Sequence, residues 1–222
     1  YLVITLNLIS GLGADEKVFE RLDLSLYKVN HIKWIRPEPK ETLQHYSIRL
    51  IDQFVINEPY IIIGLSFGGI ITSEILDFIK PKPLKSIIIS SVRNRHELPY
   101  LMRLGRSYPF HRLIPSRLLK IGNPIIYWYF GLKTENQKKL MNHFLSSSDP
   151  IFVKWAINEI ANWNREKSLE NVIHIHGDKD KTFPIGGTEA DHIIKNGSHL
   201  MIYTHANLVS KLLNKILIPY NA

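Results

Sequence analysis

The stretch Tyr60-Ile61-Ile62-Ile63-Gly64-Leu65-Ser66-Phe67-Gly68-Gly69-Ile70-Ile71 constrains this chain more than any other. A β-prone apolar run leads straight into Gly-x-Ser-x-Gly, and a helical pattern over Phe67–Ile79 follows. A serine between glycines at 64 and 68 fits a very sharp strand-to-helix turn with a strained backbone at the serine. Side chains at the two glycine positions would collide with neighbouring elements. Such a turn exposes the Ser66 hydroxyl above a sheet. The following helix directs backbone N–H groups and its positive dipole end toward the same spot. The pentapeptide alone is weak evidence, but the strand before it and the helix after it supply the required context. The plainer alternative is a tight turn whose serine only caps a helix.

The rest of the chain repeats the strand–helix order. Leu2–Asn7, Ile32–Ile35, Tyr60–Gly64, Ser86–Ser90, Val172–His176 and His192–Ile194 read as strands. Several are nearly continuous in Ile and Val, which suits parallel strands covered on both faces. Ala14–Leu22, Thr42–Val55, Phe67–Ile79 and His205–Leu217 read as helices; Leu43, Tyr46, Leu50 and Phe54 recur at helical spacing. This alternation implies an α/β domain with a mainly parallel sheet. At 222 residues the chain is one large domain, or one domain plus an insertion.

The alternation breaks between Ser91 and Ser168. Helical stretches are expected there at Pro99–Arg106, Pro115–Ile121, Glu135–Leu145 and Pro150–Asn162, with Asp149-Pro150 as a helix start. A helical insertion between parallel strands is well placed to lie over their carboxyl ends, where ligands bind. Residues 91–168 are therefore read as a cap, and 1–90 with 169–222 as the core. A helical subdomain packed to one side is the alternative. The insertion carries the whole net charge of +8, since it holds 13 Lys and Arg against 5 Asp and Glu. The densest part runs from Arg93 through Arg95, Arg103, Arg106, Arg112 and Arg117 to Lys120, with Glu97 alone opposing it. An anionic substrate, an acidic partner or a phospholipid surface would suit such a cluster, and so would a solvated helical face. No zinc-finger, RRM or similar signature points to nucleic acid.

A serine hydroxyl needs a base, and the base needs an orienting group. The buried strand Val172–His176 ends in a loop with two carboxylates, Asp178 and Asp180. The short strand His192–Ile194 then leads into Asn196-Gly197-Ser198-His199, before the last helix. The order Ser66, an Asp, His199 matches a strand-end triad. His174 and His176 suggest a metal reading, but Lys179 stands where a fuller ligand set would place another histidine. Two histidines on one strand face are more simply buried and hydrogen-bonded, so no metal is expected. The absence of cysteine excludes thiol catalysis, Cys-ligated zinc and disulfide scaffolds. No phosphate- or dinucleotide-binding glycine motif is present, so no cofactor is expected; Gly186-Gly187 reads as a turn.

From end to end the sequence resembles the α/β-hydrolase superfamily, in particular a small bacterial branch with a helical cap. The stretches that carry the resemblance are Ile9-Ser10-Gly11-Leu12-Gly13-Ala14, Gly64-Leu65-Ser66-Phe67-Gly68, His176-Gly177-Asp178-Lys179-Asp180 with Pro184, and Gly197-Ser198-His199. The resemblance implies hydrolysis of an ester-like bond by Ser66, His199 and Asp180, with Asp178 structural. It also implies an oxyanion hole from the backbone N–H groups of Leu12 and Phe67. Ser10 stands where the family commonly has histidine, and Ser198 where many relatives have a second glycine. The sequence opens directly on the strand before the Leu12 loop, so a sheet of about six strands is expected, without the family's two opening antiparallel strands.

The leading reading is thus a serine hydrolase acting on a small-molecule carboxylic ester or thioester. Apolar residues Tyr127, Trp128, Tyr129, Phe130, Phe152 and Trp155 are candidates for an acyl pocket, or for the core of the cap. Two alternatives stay open: a lyase of the same superfamily whose arginines hold a small carboxylate, and a non-catalytic small-molecule binder. No apolar run approaches the ~20 residues of a membrane helix. The chain is expected to be cytoplasmic, and because it opens at Tyr1 at least one residue is expected before it. Its oligomeric state is not legible.

Overall fold

In the computed structural model, which describes residues 4–107, 121–167 and 170–220, six parallel strands form one sheet. They are β1 (Thr5–Ile9), β2 (Lys28–Ile32), β3 (Tyr60–Leu65), β4 (Lys85–Ile89), β5 (Val172–Gly177) and β6 (His192–Ile194). Their order across the sheet is β2-β1-β3-β4-β5-β6. The central strands lack polar alternation because both faces are covered. On one face Leu6, Leu8, Ile61 and Ile63 pack with Val209 and Leu213 of a C-terminal helix, α8 (Ala206–Leu217). On the other, Ile62 packs with Tyr46 and Leu50 of α1 (Leu43–Leu50) and with Ile70 and Ile75 of α2 (Phe67–Phe78).

Several expected elements shift. The second strand covers Lys28–Ile32, not Ile32–Ile35. It pairs from Thr5↔Lys28 to Ile9↔Ile32, and beyond Ile9 the neighbouring strand leaves the ladder. As an edge strand β2 is half polar, whereas the apolar run that follows meets side chains instead: Lys33 N–H donates to Gln53 Oε1 at 2.8 Å, and Ile35 N–H to Tyr46 Oη at 3.1 Å. The first strand runs to Ile9 rather than ending at Asn7, while Leu2 and Val3 of the expected Leu2–Asn7 lie outside the described residues. In place of a helix over Ala14–Leu22 there is a 3-10 turn, Glu16–Phe19, capped by Asp15. The chain has to turn soon afterwards to bury Leu24 and Tyr27. The helix starting at Thr42 gives way after Leu50 to a 3-10 turn, because Asn7 inside the sheet captures both backbone groups of Val55 at 3.0 and 3.1 Å.

Between β4 and β5 lie α3 (Tyr100–Leu104), α4 (Pro124–Tyr129), α5 (Glu135–Ser147) and α6 (Pro150–Asn162). Asn123 followed by a first-turn proline starts α4, a helix the apolar pattern alone does not announce. A capping box of Thr134 and Gln137 starts α5, and Asp149 caps α6. The expected helix Pro115–Ile121 lies outside the described residues except for Ile121. A short helix, α7 (Met201–Thr204), precedes α8. Helix α6 is bound to the layer below it: Trp155 Nε1 donates to the Glu41 carbonyl at 2.8 Å, and Trp163 Nε1 to Glu74 at 2.9 Å.

The sharpest bend joins β3 to α2. Ser66 there has φ 52° and ψ −117°, a strained region for any residue with a side chain. A Cβ on Gly64 would collide with the Gly68 carbonyl; one on Gly68 would collide with the Ile9 carbonyl and lie 2.5 Å from that of Ser10. By contrast, a Cβ on Gly186 meets nothing within 4 Å. Gly68→Ala is expected to destabilise the protein by at least about 2 kcal/mol. Gly186→Ala is expected to stay within about 0.5 kcal/mol. Urea unfolding of the two variants checks this, and equal midpoints would remove the packing argument.

Candidate active site

Ser66, Asp180 and His199 each follow the carboxyl end of a strand: β3, β5 and β6 respectively. The last two loops are tied together by the backbone, because Asp178 N–H donates to the Ile194 carbonyl at 3.3 Å and Lys179 N–H to that of Gly197 at 2.9 Å. This pairing carries Asp180 to His199. Asp180 Oδ2 lies 2.8 Å from His199 Nδ1, and His199 Nε2 lies 2.8 Å from Ser66 Oγ. Asp180 Oδ1 accepts N–H bonds from Thr182 at 2.8 Å and Phe183 at 3.0 Å. Burial favours the neutral acid, but the nearby His199, aided by these hydrogen bonds, outweighs it and holds Asp180 below the usual carboxylate value. The structure thus brings together the three residues singled out in the sequence. Asp180, not the half-buried Asp178, reaches the imidazole.

The loop after β1 lies against the serine: a Cβ on Gly11 would sit 3.5 Å from Ser66 Cβ. Its shape is held by three bonds. Ser10 Oγ donates to the Ala14 carbonyl at 2.6 Å, while the Gly11 carbonyl accepts from Ala14 N–H at 3.0 Å and Trp34 Nε1 at 3.1 Å. Serine at position 10 therefore braces the loop internally. Leu12 follows in this loop, and Phe67 opens α2, where an N–H has no partner in the preceding turn. Both border the same cavity as Ser66 and His199.

That cavity has a volume of about 740 Å³. Its walls include Leu101 and Met102 of α3, Ile126 of α4, Met141 and Phe144 of α5, and Ile157 of α6. Among the described residues that line it there is no Lys, Arg, Asp or Glu. The sequence suggested six aromatic wall residues; of these Phe130 lines the cavity. Phe152 and Trp155 instead stack with Tyr46 in the core, and Trp128 is 65% exposed beneath the Lys181 ammonium. The arginines also turn elsewhere. Arg93 pairs with Asp191, and Arg95 with Glu166 at 3.0 Å. Arg112, Arg117 and Lys120 lie outside the described residues. No described arginine, Arg103 and Arg106 included, lines the cavity, so nothing there favours an anionic ligand.

His174 and His176 do not open onto a ligand site. Both are fully enclosed, with His174 Nε2 3.0 Å from His176 Nδ1 and His176 Nε2 2.7 Å from the Phe183 carbonyl. The grouping Glu38, Glu41 and His45 has metal-holding spacing, but Arg49 donates to both oxygens of Glu41, so it reads as an ion-pair cluster. Among the described residues no helix is long and apolar enough to cross a membrane.

Burial above all, with the neighbouring His176 and Arg93, pushes the His174 pKa down to about 3 from an ordinary 6.5, against weaker opposing pulls from the Glu189 backbone and Asp191. Unfolding restores the ordinary value. Below about pH 6.5 the unfolded chain takes up a proton that the folded one refuses. This contribution to stability is complete above that pH and drains away as pH falls, by at most about 1.4 kcal/mol per pH unit. Urea midpoints measured from pH 7 to 4 are expected to fall, and His174→Phe to show a shallower slope. Identical slopes would exclude His174 as the cause.

No family model and no curated protein matches the sequence. The structure does superpose on solved ones. A lipase-esterase related protein from Clostridium acetobutylicum ATCC 824 is 16% identical, with a TM-score of 0.73 over 96% of this chain and 93% of that one. A thermophilic esterase from Thermogutta terrifontis is 13% identical, with a TM-score of 0.72 over 100% and 92%. A bromoperoxidase from Bacillus anthracis is 15% identical, with a TM-score of 0.70 over 97% and 92%.

Proposed function

Given that the chain has the α/β-hydrolase fold, we propose that it is a serine hydrolase cleaving a carboxylic ester or thioester, with residues 91–168 as a cap over the site. One observation carries the reading: an unbroken hydrogen-bonded line from Asp180 through His199 to Ser66, with both steps at 2.8 Å, ending in an apolar cavity. A carboxylate can only accept, so His199 Nδ1 carries a proton, and in the neutral ring Nε2 is then the lone pair that faces the hydroxyl. His199 Nε2 takes the Ser66 proton as Oγ attacks the carbonyl carbon, and Asp180 stabilises the resulting imidazolium. The negative charge forming on the carbonyl oxygen falls to the N–H groups of Leu12 and Phe67; one such donor contributes about 3 kcal/mol in the transition state.

Collapse of the tetrahedral species expels the alkoxide or thiolate, which takes the proton from His199, and leaves an acyl group on Ser66 Oγ. Water then attacks the acyl carbon while His199 removes its proton, and the carboxylic acid departs with Ser66 restored. Esterases among the superposed structures favour the same chemistry. A lyase handling a small carboxylate has no comparable support, since no described arginine lines the cavity.

Ser66→Ala is expected to abolish labelling by a fluorophosphonate probe, read by mass spectrometry. It should also lower p-nitrophenyl ester hydrolysis by at least about a thousandfold. Asp180→Asn is expected to lower kcat by about a thousandfold or more while the protein stays folded. Full esterase activity in the Ser66→Ala protein would overturn the assignment.

A further inference from the structure

The chemistry proposed above leaves two buried histidines unused. His174 and His176 lie on one face of β5 and are wholly enclosed. The hydrogen-bond directions between them follow from their partners. The Phe183 carbonyl can only accept, so His176 Nε2 carries a proton. Burial disfavours a charge on this ring, which leaves its Nδ1 as a lone pair. The contact from His174 Nε2 is then a donated N–H. His174 therefore donates to His176, and His176 donates to the Phe183 carbonyl.

The Phe183 N–H donates to Asp180 Oδ1, alongside that of Thr182. These two bonds occupy Oδ1 and leave Oδ2 for His199. His176 Nε2 also lies 3.6 Å from Oδ2, too far for a hydrogen bond. Beside this direct electrostatic contact, its hydrogen-bonded hold on Asp180 runs through the Phe183 peptide unit. Phe183 also packs edge-on against the His199 ring, with centroids 5.5 Å apart.

We propose that His176, oriented by His174, is a positioning residue. By gripping the Phe183 carbonyl from β5 it fixes the Asp180–Phe183 turn and aims Asp180 Oδ2 at His199 Nδ1. Its effect on rate rests on the serine-hydrolase reading, but the geometry it controls is present in the resting protein. The role needs a donor at the ε position facing the Phe183 carbonyl; the imidazole supplies it at Nε2, and its Nδ1 accepts the bond from His174 that orients the ring.

The test compares His176→Gln, which keeps an N–H near the ε position, with His176→Asn, which has no atom there. The readouts are kcat and KM on p-nitrophenyl butyrate, and the far-downfield proton resonance of the His199–Asp180 hydrogen bond in substrate-free protein. His176→Asn is expected to lower kcat roughly tenfold to a hundredfold, with KM changed by less than about twofold. It should also shift or broaden the resonance. His176→Gln is expected to recover most of both. A purely structural histidine would lower the melting temperature and leave kcat and the resonance as in the wild type; that outcome overturns the proposal. If His176→Asn does not fold, His174→Phe removes the donor that orients His176, and an unchanged resonance there overturns it equally. The resonance decides the matter even if Ser66→Ala shows the hydrolase reading to be wrong.

Discussion

The first turn of α2 presses against the loop after β1, closely enough that Gly68 has no room for a side chain beside the carbonyls of Ile9 and Ser10. The rest of the site depends on that backbone contact. It holds Ser66 in a left-handed conformation that an isolated turn would relax. It also sets the Leu12 loop next to the start of α2, and Leu12 and Phe67 border the same cavity as Ser66. The strain is sustained because β3 is central in the sheet and enclosed on both faces, leaving the turn nowhere to move.

A second layer of support comes from loops that brace one another. The turns after β5 and β6 are joined by backbone hydrogen bonds before any functional side chain is involved. Asp180 and His199 are therefore presented by a single double-loop unit. The carboxylate is buried yet ionised, because two N–H groups and an imidazole surround it in a poorly solvated place. In water the same charge would be screened and far less directive. The apolar cavity above it serves this electrostatics as well as any substrate.

The basic excess of residues 91–168 suited an anionic substrate, an acidic partner or a lipid surface, and equally a solvated helical face. In the structure Arg93 meets Asp191, and Arg165 meets Glu74 and Asp77 on α2. These acids belong to the part of the chain that is neutral overall, so the pairing stitches insertion to core. The walls of the cavity come instead from the unremarkable Leu, Ile and Met positions between the charges.

Much was legible without coordinates, for local reasons. The turn at Ser66 could be read because glycine spacing, a strand and a helix are all contiguous there. The α/β class could be read because apolar periodicity is a short-range property, and the helix start at Asp149 because capping is local. The edge strand β2 was misread because its ladder is set by where β1 ends, not by its own apolar run. The family resemblance already favoured Asp180 over Asp178, but which aromatic rings face the cavity depended on packing between residues far apart in the chain, such as Phe152 against Tyr46. The sequence by itself determined that a serine would stand on a sharp turn at a strand end, followed along the chain by an aspartate and a histidine. Only the tertiary structure decided that they meet, what kind of space they meet in, and which histidines stay behind them. Contact across separate loops is a product of packing, and no local pattern encodes it.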